Sequence, residues 1–294
     1  MTFLLILVLS LGTVQTLEVA PDQALTVISA GSGDPVVLLP GLSGCAYGYR
    51  KIVSPLGDSG FRTVIIEPLG IGSSSRPRQA DYTLTAQADR VAAILDSLKM
   101  RDVVVVGHGV SASVALRLAY RRPELVAAVL AIEGGAYETS GSPAMARSLK
   151  FASVVAKLGG GRLLRDRYKS NLEDASGDVS WIDRRTVGRY LKNIDHDLDD
   201  FIHALRAMAG STEPESLQKN LTSISCPVLL LSGAAPHSGS LTTEEIEILA
   251  EGLADFSVQP VPEAGHFIFE EQPDVVVAAI KSLNQKQEVL SCAR

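Results

Sequence analysis

Residues 103–126, VVVVGHGVSASVALRLAYRRPELV, constrain the fold more than any other stretch of the chain. The four consecutive valines are branched at Cβ, which stiffens χ1 and favours extended backbone. The run is apolar on both faces, as a strand covered by helices on both sides requires. Gly107 and Gly109 then permit a turn too tight for ordinary side chains. The Ala- and Leu-rich segment Val110 to Arg121 follows at once, has helix-forming composition, and stops ahead of Pro123. A strand that passes directly through such a turn into a helix is one unit of a parallel α/β sheet.

Similar units recur. Asp34 to Gly41, Arg62 to Pro68, Arg101 to His108, Ala127 to Glu133 and Pro227 to Gly233 read as buried strands, with Phe256 to Val261 a weaker sixth. Thr83 to Leu98, Val110 to Arg121 and Asp274 to Leu283 carry helical patterns between or after them. The alternation predicts an α/β fold with a doubly wound, mostly parallel sheet. It breaks over 137–215, where only helical periodicity and much charge are found, so this stretch reads as an inserted helical cap. Gly159 to Gly161 and Gly177 mark turns in it, and Leu149, Phe151, Val154, Val155 and Leu158 give it an apolar inner face. The expected core is then 17–136 with 216–294.

The first residues stand apart. Phe3 to Leu11 is an apolar run too short to span a bilayer comfortably. It fits the apolar part of an export signal over 1–16, with cleavage after Thr16 and a secreted or periplasmic product. No Lys or Arg precedes the run, so an uncleaved membrane anchor is the alternative. No later stretch reads as a membrane span. A net charge of -6 argues against nucleic acid as a partner. The partner expected is a small molecule, and the sequence leaves the oligomeric state open.

Cys45, Cys226 and Cys292 lack metal-ligand spacing. No Gly-x-Gly-x-x-Gly opens the first helix and no Gly-Lys-Ser/Thr is present, so nothing implies a nucleotide or other cofactor. His196, Asp197, Asp199, Asp200 and His203 cluster in the cap, where a solvated helix face is the plainer reading than a metal site. No metal is implied.

The strand–turn–helix of 103–126 closely resembles the nucleophile elbow of the α/β-hydrolase superfamily, in particular its capped esterase, epoxide hydrolase and haloalkane dehalogenase branch. The resemblance spans nearly all of Asp34 to Leu283. It sets Gly107 and Ser111 on the small positions of the elbow and Gly109, between His108 and Val110, on the nucleophile position. The family carries Ser, Asp or Cys there, so this chain departs at the most diagnostic point. Ser111 offers an alternative frame, Gly109-Val110-Ser111-Ala112-Ser113, but that frame pushes the elbow into the helix. Glycine adopts positive φ without the cost a side chain incurs there. Gly109 therefore keeps the turn and removes the attacking atom.

The resemblance implies further roles. His266, in Gly265-His266-Phe267 after the last strand, falls where the family places its catalytic histidine. The loop after Val228 to Leu231 has no carboxylate, so the acid is assigned to Glu133 at the end of the preceding strand, as in some haloalkane dehalogenases. His237 lies in that loop and could approach the same pocket, though a structural role is the plainer reading. Pro40-Gly41-Leu42 matches the family's oxyanion turn, which makes the amides of Leu42 and Val110 the donors. Gly41, Cys45 and His108 are expected at the substrate. Glu67-Pro68-Leu69-Gly70 matches a structural turn that normally begins with Asp.

Three functions follow. The chain is a hydrolase of small ester-like substrates in which His266 and Glu133 act as a general base without covalent catalysis, with a lyase or isomerase step as a variant. It is a pseudoenzyme that binds a small apolar ligand or a partner. Or it is a Ser→Gly form of an ordinary serine esterase.

Overall fold

The computed structural model describes residues 12–42, 44–141, 163, 165–195 and 197–292. Eight strands form one sheet in the order β1-β2-β4-β3-β5-β6-β7-β8. They are β1 (Thr13–Ala20), β2 (Gln23–Gly31), β3 (Asp34–Leu39), β4 (Phe61–Glu67), β5 (Val103–His108), β6 (Val126–Ile132), β7 (Val228–Gly233) and β8 (Phe256–Val261). From β4 through β8 every neighbouring pair is parallel. β2 runs antiparallel to both β1 and β4.

The valine run shows why the sheet is covered on both sides. Val103 and Val105 face one apolar cluster, and Val104 and Val106 face the other. This is the period of two that a strand imposes. Each valine is fully buried, and each such burial stabilises the fold by about 1.5–3 kcal/mol. One face is packed by α2 (Leu84–Ser97) and α3 (Val110–Arg121), and the other by α1 (Arg50–Asp58) and α10 (Pro273–Cys292). Thr83 caps α2, its hydroxyl accepting from the Ala86 amide at 3.1 Å.

The hairpin β1–β2 is the main feature that the sequence reading did not anticipate. Asp22, at φ 61°, turns the chain after Pro21. β1 is mostly exposed and mixes polar with apolar residues, so hydrophobic periodicity does not announce it. The boundary expected after Thr16 falls inside β1, where Thr13 to Thr16 pair with Ser29 to Thr26. The last helix also extends further than the expected Asp274 to Leu283.

Between β6 and β7 the described residues hold helices α4 (165–174), α5 (Arg184–Asp195), α6 (Leu198–Ala209) and the short α7 (Leu217–Asn220). Leu149, Phe151, Val154, Val155 and Leu158, the expected inner face, lie outside the described residues, as do His196 and the turn at Gly159 to Gly161. In the charged cluster, Asp200 accepts from Arg78 at 2.7 Å and the His203 ring meets the Arg78 carbonyl at 3.2 Å. Those contacts are surface contacts rather than a converging ligand set. The chain then adds α8 (Thr243–Gly252), opened by a capping box of Thr242 and Glu245, and α9 (Ile268–Glu271) before α10. No described helix is long and apolar enough to cross a membrane.

Candidate active site

β5 delivers the chain to Gly109, which has φ 56° and ψ −125° and begins α3. A side chain in this region costs about 1–3 kcal/mol. The packing around the turn explains its small residues. A Cβ at Gly107 would lie 2.3 Å from the Ser111 carbonyl oxygen, and one at Gly134 would lie 2.1 Å from that of Gly109. At Gly109 the only close atoms among the described residues are His266 Nε2 at 3.6 Å and Cε1 at 3.8 Å, which is ordinary contact. A side chain fits there, and its first atom would face the imidazole.

Ser111 is excluded as the attacking group. It is 1% exposed, and its hydroxyl donates to the Pro40 carbonyl at 2.7 Å. That bond ties α3 to the Pro40-Gly41-Leu42 turn. Gly41 packs so closely on His108 that a Cβ would lie 2.9 Å from the His108 carbonyl oxygen. Leu42 and Val110, the expected oxyanion donors, line the same cavity as Gly109 and His266.

Glu133 follows β6 at φ 47°, a conformation uncommon without glycine, and is fully buried. Its amide donates to the Leu231 carbonyl at 3.0 Å. Oε1 accepts from the Gly233 amide. Oε2 stands 3.0 Å from His237 Nε2 and 3.7 Å from His266 Nδ1. The second separation is a close approach rather than a formed hydrogen bond. Burial pushes the Glu133 carboxyl up, but the His266 ring, the Gly233 amide and the His237 ring outweigh it and hold it below the usual range. His237, for which a place at this pocket is the less favoured of two sequence readings, meets the same carboxylate oxygen as His266.

The His266 loop is held to the segment between β6 and β7. The His266 amide donates to the Ala175 carbonyl at 2.8 Å. Glu271 accepts from the amides of Gly177 and Asp178 at 2.8 Å and of Gly265 at 3.0 Å. His108 lies beside His266, ring centroids 4.5 Å apart, and its Nε2 meets the His266 carbonyl at 3.1 Å. Burial, with His266 second, holds His108 well below the ordinary imidazole range.

These groups border a cavity of about 580 Å³. Gly41 and His108 line it as expected. Cys45 does not. It sits in the apolar cluster below, and burial, then Glu67, pushes its thiol up to about 12. Its place on the loop allows either a lining role or that of a small buried hydrophobe, and the turn carries it inward to the second. Glu67 behaves as the structural residue expected, accepting from the Ala46 amide at 2.7 Å and the Ser73 amide at 2.6 Å. The sequence reading missed Tyr137, Tyr168, Asn171, Ser238 and Phe267 in the lining. Of these, Phe267 and Tyr137 were findable from their place just after the strand ends, whereas Tyr168 and Asn171 arrive from α4.

A model of the alpha/beta hydrolase family matches residues 36–279. Cis-3-alkyl-4-alkyloxetan-2-one decarboxylase of Shewanella oneidensis is 23% identical, over 90% of this chain and 86% of its own. A haloalkane dehalogenase of Mycolicibacterium paratuberculosis is 31% identical over 35% of this chain and 34% of its own. Among solved structures, the epoxide hydrolase CorEH without ligand superposes with a TM-score of 0.77 at 20% identity, covering 92% of this chain and 98% of that one.

Proposed function

The chain belongs to the α/β-hydrolase family, and on that premise we propose that it hydrolyses a small ester-like substrate by direct attack of water, with His266 as general base. The observation that carries this reading is the space at Gly109. A Cβ there would lie 3.6 Å from His266 Nε2, so the glycine leaves room for a water beside the base where the family holds its nucleophile.

The steps follow from the geometry. His266 Nε2 takes a proton from the water as its oxygen attacks the substrate carbonyl. The tetrahedral oxyanion is held by the amides of Leu42 and Val110. Collapse breaks the bond to the alcohol, which recovers the proton from His266, and leaves the acid. Glu133 orients the imidazole and offsets its charge, and closing from 3.7 Å to hydrogen-bond distance is a small movement of a ring whose Nδ1 has no other partner among the described residues. Residual acceleration without a triad member is about 10³–10⁴ over water, so slow turnover is the expected regime.

The test is hydrolysis of short activated esters by the native chain, Gly109→Ser and His266→Ala. The reading requires turnover by the native chain that His266→Ala abolishes. Turnover that survives His266→Ala overturns it, and an inert native chain revived by Gly109→Ser supports a ligand-binding pseudoenzyme instead.

A further inference from the structure

Glu133, His237 and His266 present one carboxylate oxygen and two imidazole nitrogens that all lie within 4.8 Å of one another. Their hydrogen bonding is short of protons. His237 Nδ1 stands 2.7 Å from the Ala235 carbonyl, which only accepts, so Nδ1 carries the ring proton. In a neutral ring, Nε2 then has only a lone pair, and it faces Glu133 Oε2 at 3.0 Å. Two acceptors oppose each other in a place where both side chains are fully buried. His266 Nδ1 is buried as well, has no hydrogen-bond partner among the described residues, and faces the same oxygen at 3.7 Å. A second proton on His237 relieves one of these contacts and leaves His266 Nδ1 at 3.7 Å, short of a formed hydrogen bond. A divalent cation satisfies all three atoms together.

We propose that these three side chains form a binding site for a divalent metal of the zinc class. Two imidazoles and a carboxylate suit that class, and tetrahedral bonds of about 2.0–2.1 Å set ligand atoms about 3.3 Å apart. The separations of 3.0 and 3.7 Å from Glu133 Oε2 bracket that value, and the two imidazole nitrogens lie within 4.8 Å of each other. Two of the ligands are already oriented from behind, His237 by the Ala235 carbonyl and Glu133 by the Gly233 amide, as metal ligands usually are. The fourth position opens toward Gly239, which lines the cavity and has no side chain to fill it.

The position of the ion decides its effect. It lies on the Nδ1 edge of His266, whereas the Nε2 edge faces Gly109. A water on the ion is therefore away from Leu42 and Val110 and is not the attacking water. With Nδ1 bound to the metal, Nε2 carries the remaining ring proton and donates, so it cannot accept a proton. The ion switches the site off, a consequence that rests on His266 being the base.

The experiment strips the purified full-length chain with a chelator and titrates it with Zn²⁺ by calorimetry and with Co²⁺ by visible absorption. Ester hydrolysis is followed in parallel. One equivalent is expected to bind, with Co²⁺ bands of nitrogen and oxygen ligation, and the affinity should fall at least about 100-fold in His237→Gln and in Glu133→Gln. Hydrolysis should fall as the site fills and return on chelation. The Co²⁺ spectrum of the unaltered chain keeps the test valid if a variant fails to fold. No saturable binding, or unchanged affinity in both variants, overturns the site. Binding that leaves hydrolysis untouched overturns the switch. Binding by a chain with no hydrolysis at all leaves the site standing and removes the proposed function.

Discussion

His266 Nε2 faces the empty side of Gly109, 3.6 Å from where a Cβ on that glycine would stand. The imidazole is therefore aimed at a position with no side chain. Gly109→Ser restores one. We expect it to raise ester turnover by about 100-fold or more and to introduce a burst of acyl-enzyme, read by pre-steady-state kinetics. A rate unchanged within a factor of two would mean that the hydroxyl does not reach the base.

Gly109→Ala separates strain from chemistry. The methyl group occupies the water position and the backbone stays at φ 56°. Unfolding should become easier by about 1–3 kcal/mol and hydrolysis should drop. Thermal melting beside the ester assay reads both. A stability equal to that of the native chain would show that the turn relaxes elsewhere.

Cys45 should be inert in the native protein. Its thiol is pushed up to about 12 by burial and then by Glu67. At pH 8 almost none is thiolate. Alkylation mapped by mass spectrometry should leave Cys45 unmodified until denaturant is added. Rapid labelling of the folded chain would place the thiol in the cavity after all.

Arg117 ties α3 to the loops that hold Glu138 and Glu213. Its side chain is fully buried, 3.3 Å from Glu138 and 3.4 Å from Glu213, and it donates to the Tyr137 carbonyl at 3.0 Å. Arg117→Met leaves Glu213 buried without its cation and should destabilise the fold by about 3–5 kcal/mol. Adding Glu213→Gln should recover part of that loss in denaturant titrations. Equal stability of the single and double variants would remove the ion pair as the cause.

Much of this protein was legible in the chain itself. Strands and helices follow from the spacing of neighbouring apolar residues, so β3 to β8, α2 and α3 could be read from valine runs, Pro123 and Thr83. The Gly109 turn was legible for the same reason, since a strand, two glycines and a helix are local signals. The rank of Glu133 and His266 as candidates came from the family resemblance, which sets its acid and its histidine just after strands. The exposed β1 escaped because a strand with a solvated surface needs little periodicity. What only the tertiary structure decided are meetings across long separations. His237 reaches Glu133 over 104 residues of chain, and Ser111 reaches Pro40 over 71. Nothing near either residue records such a partner. Cys45 faces the core and Tyr168 faces the cavity because the sheet and the helices packed on it fix the directions of their backbones. Local propensity chooses an element, whereas the site is made by where many elements end together.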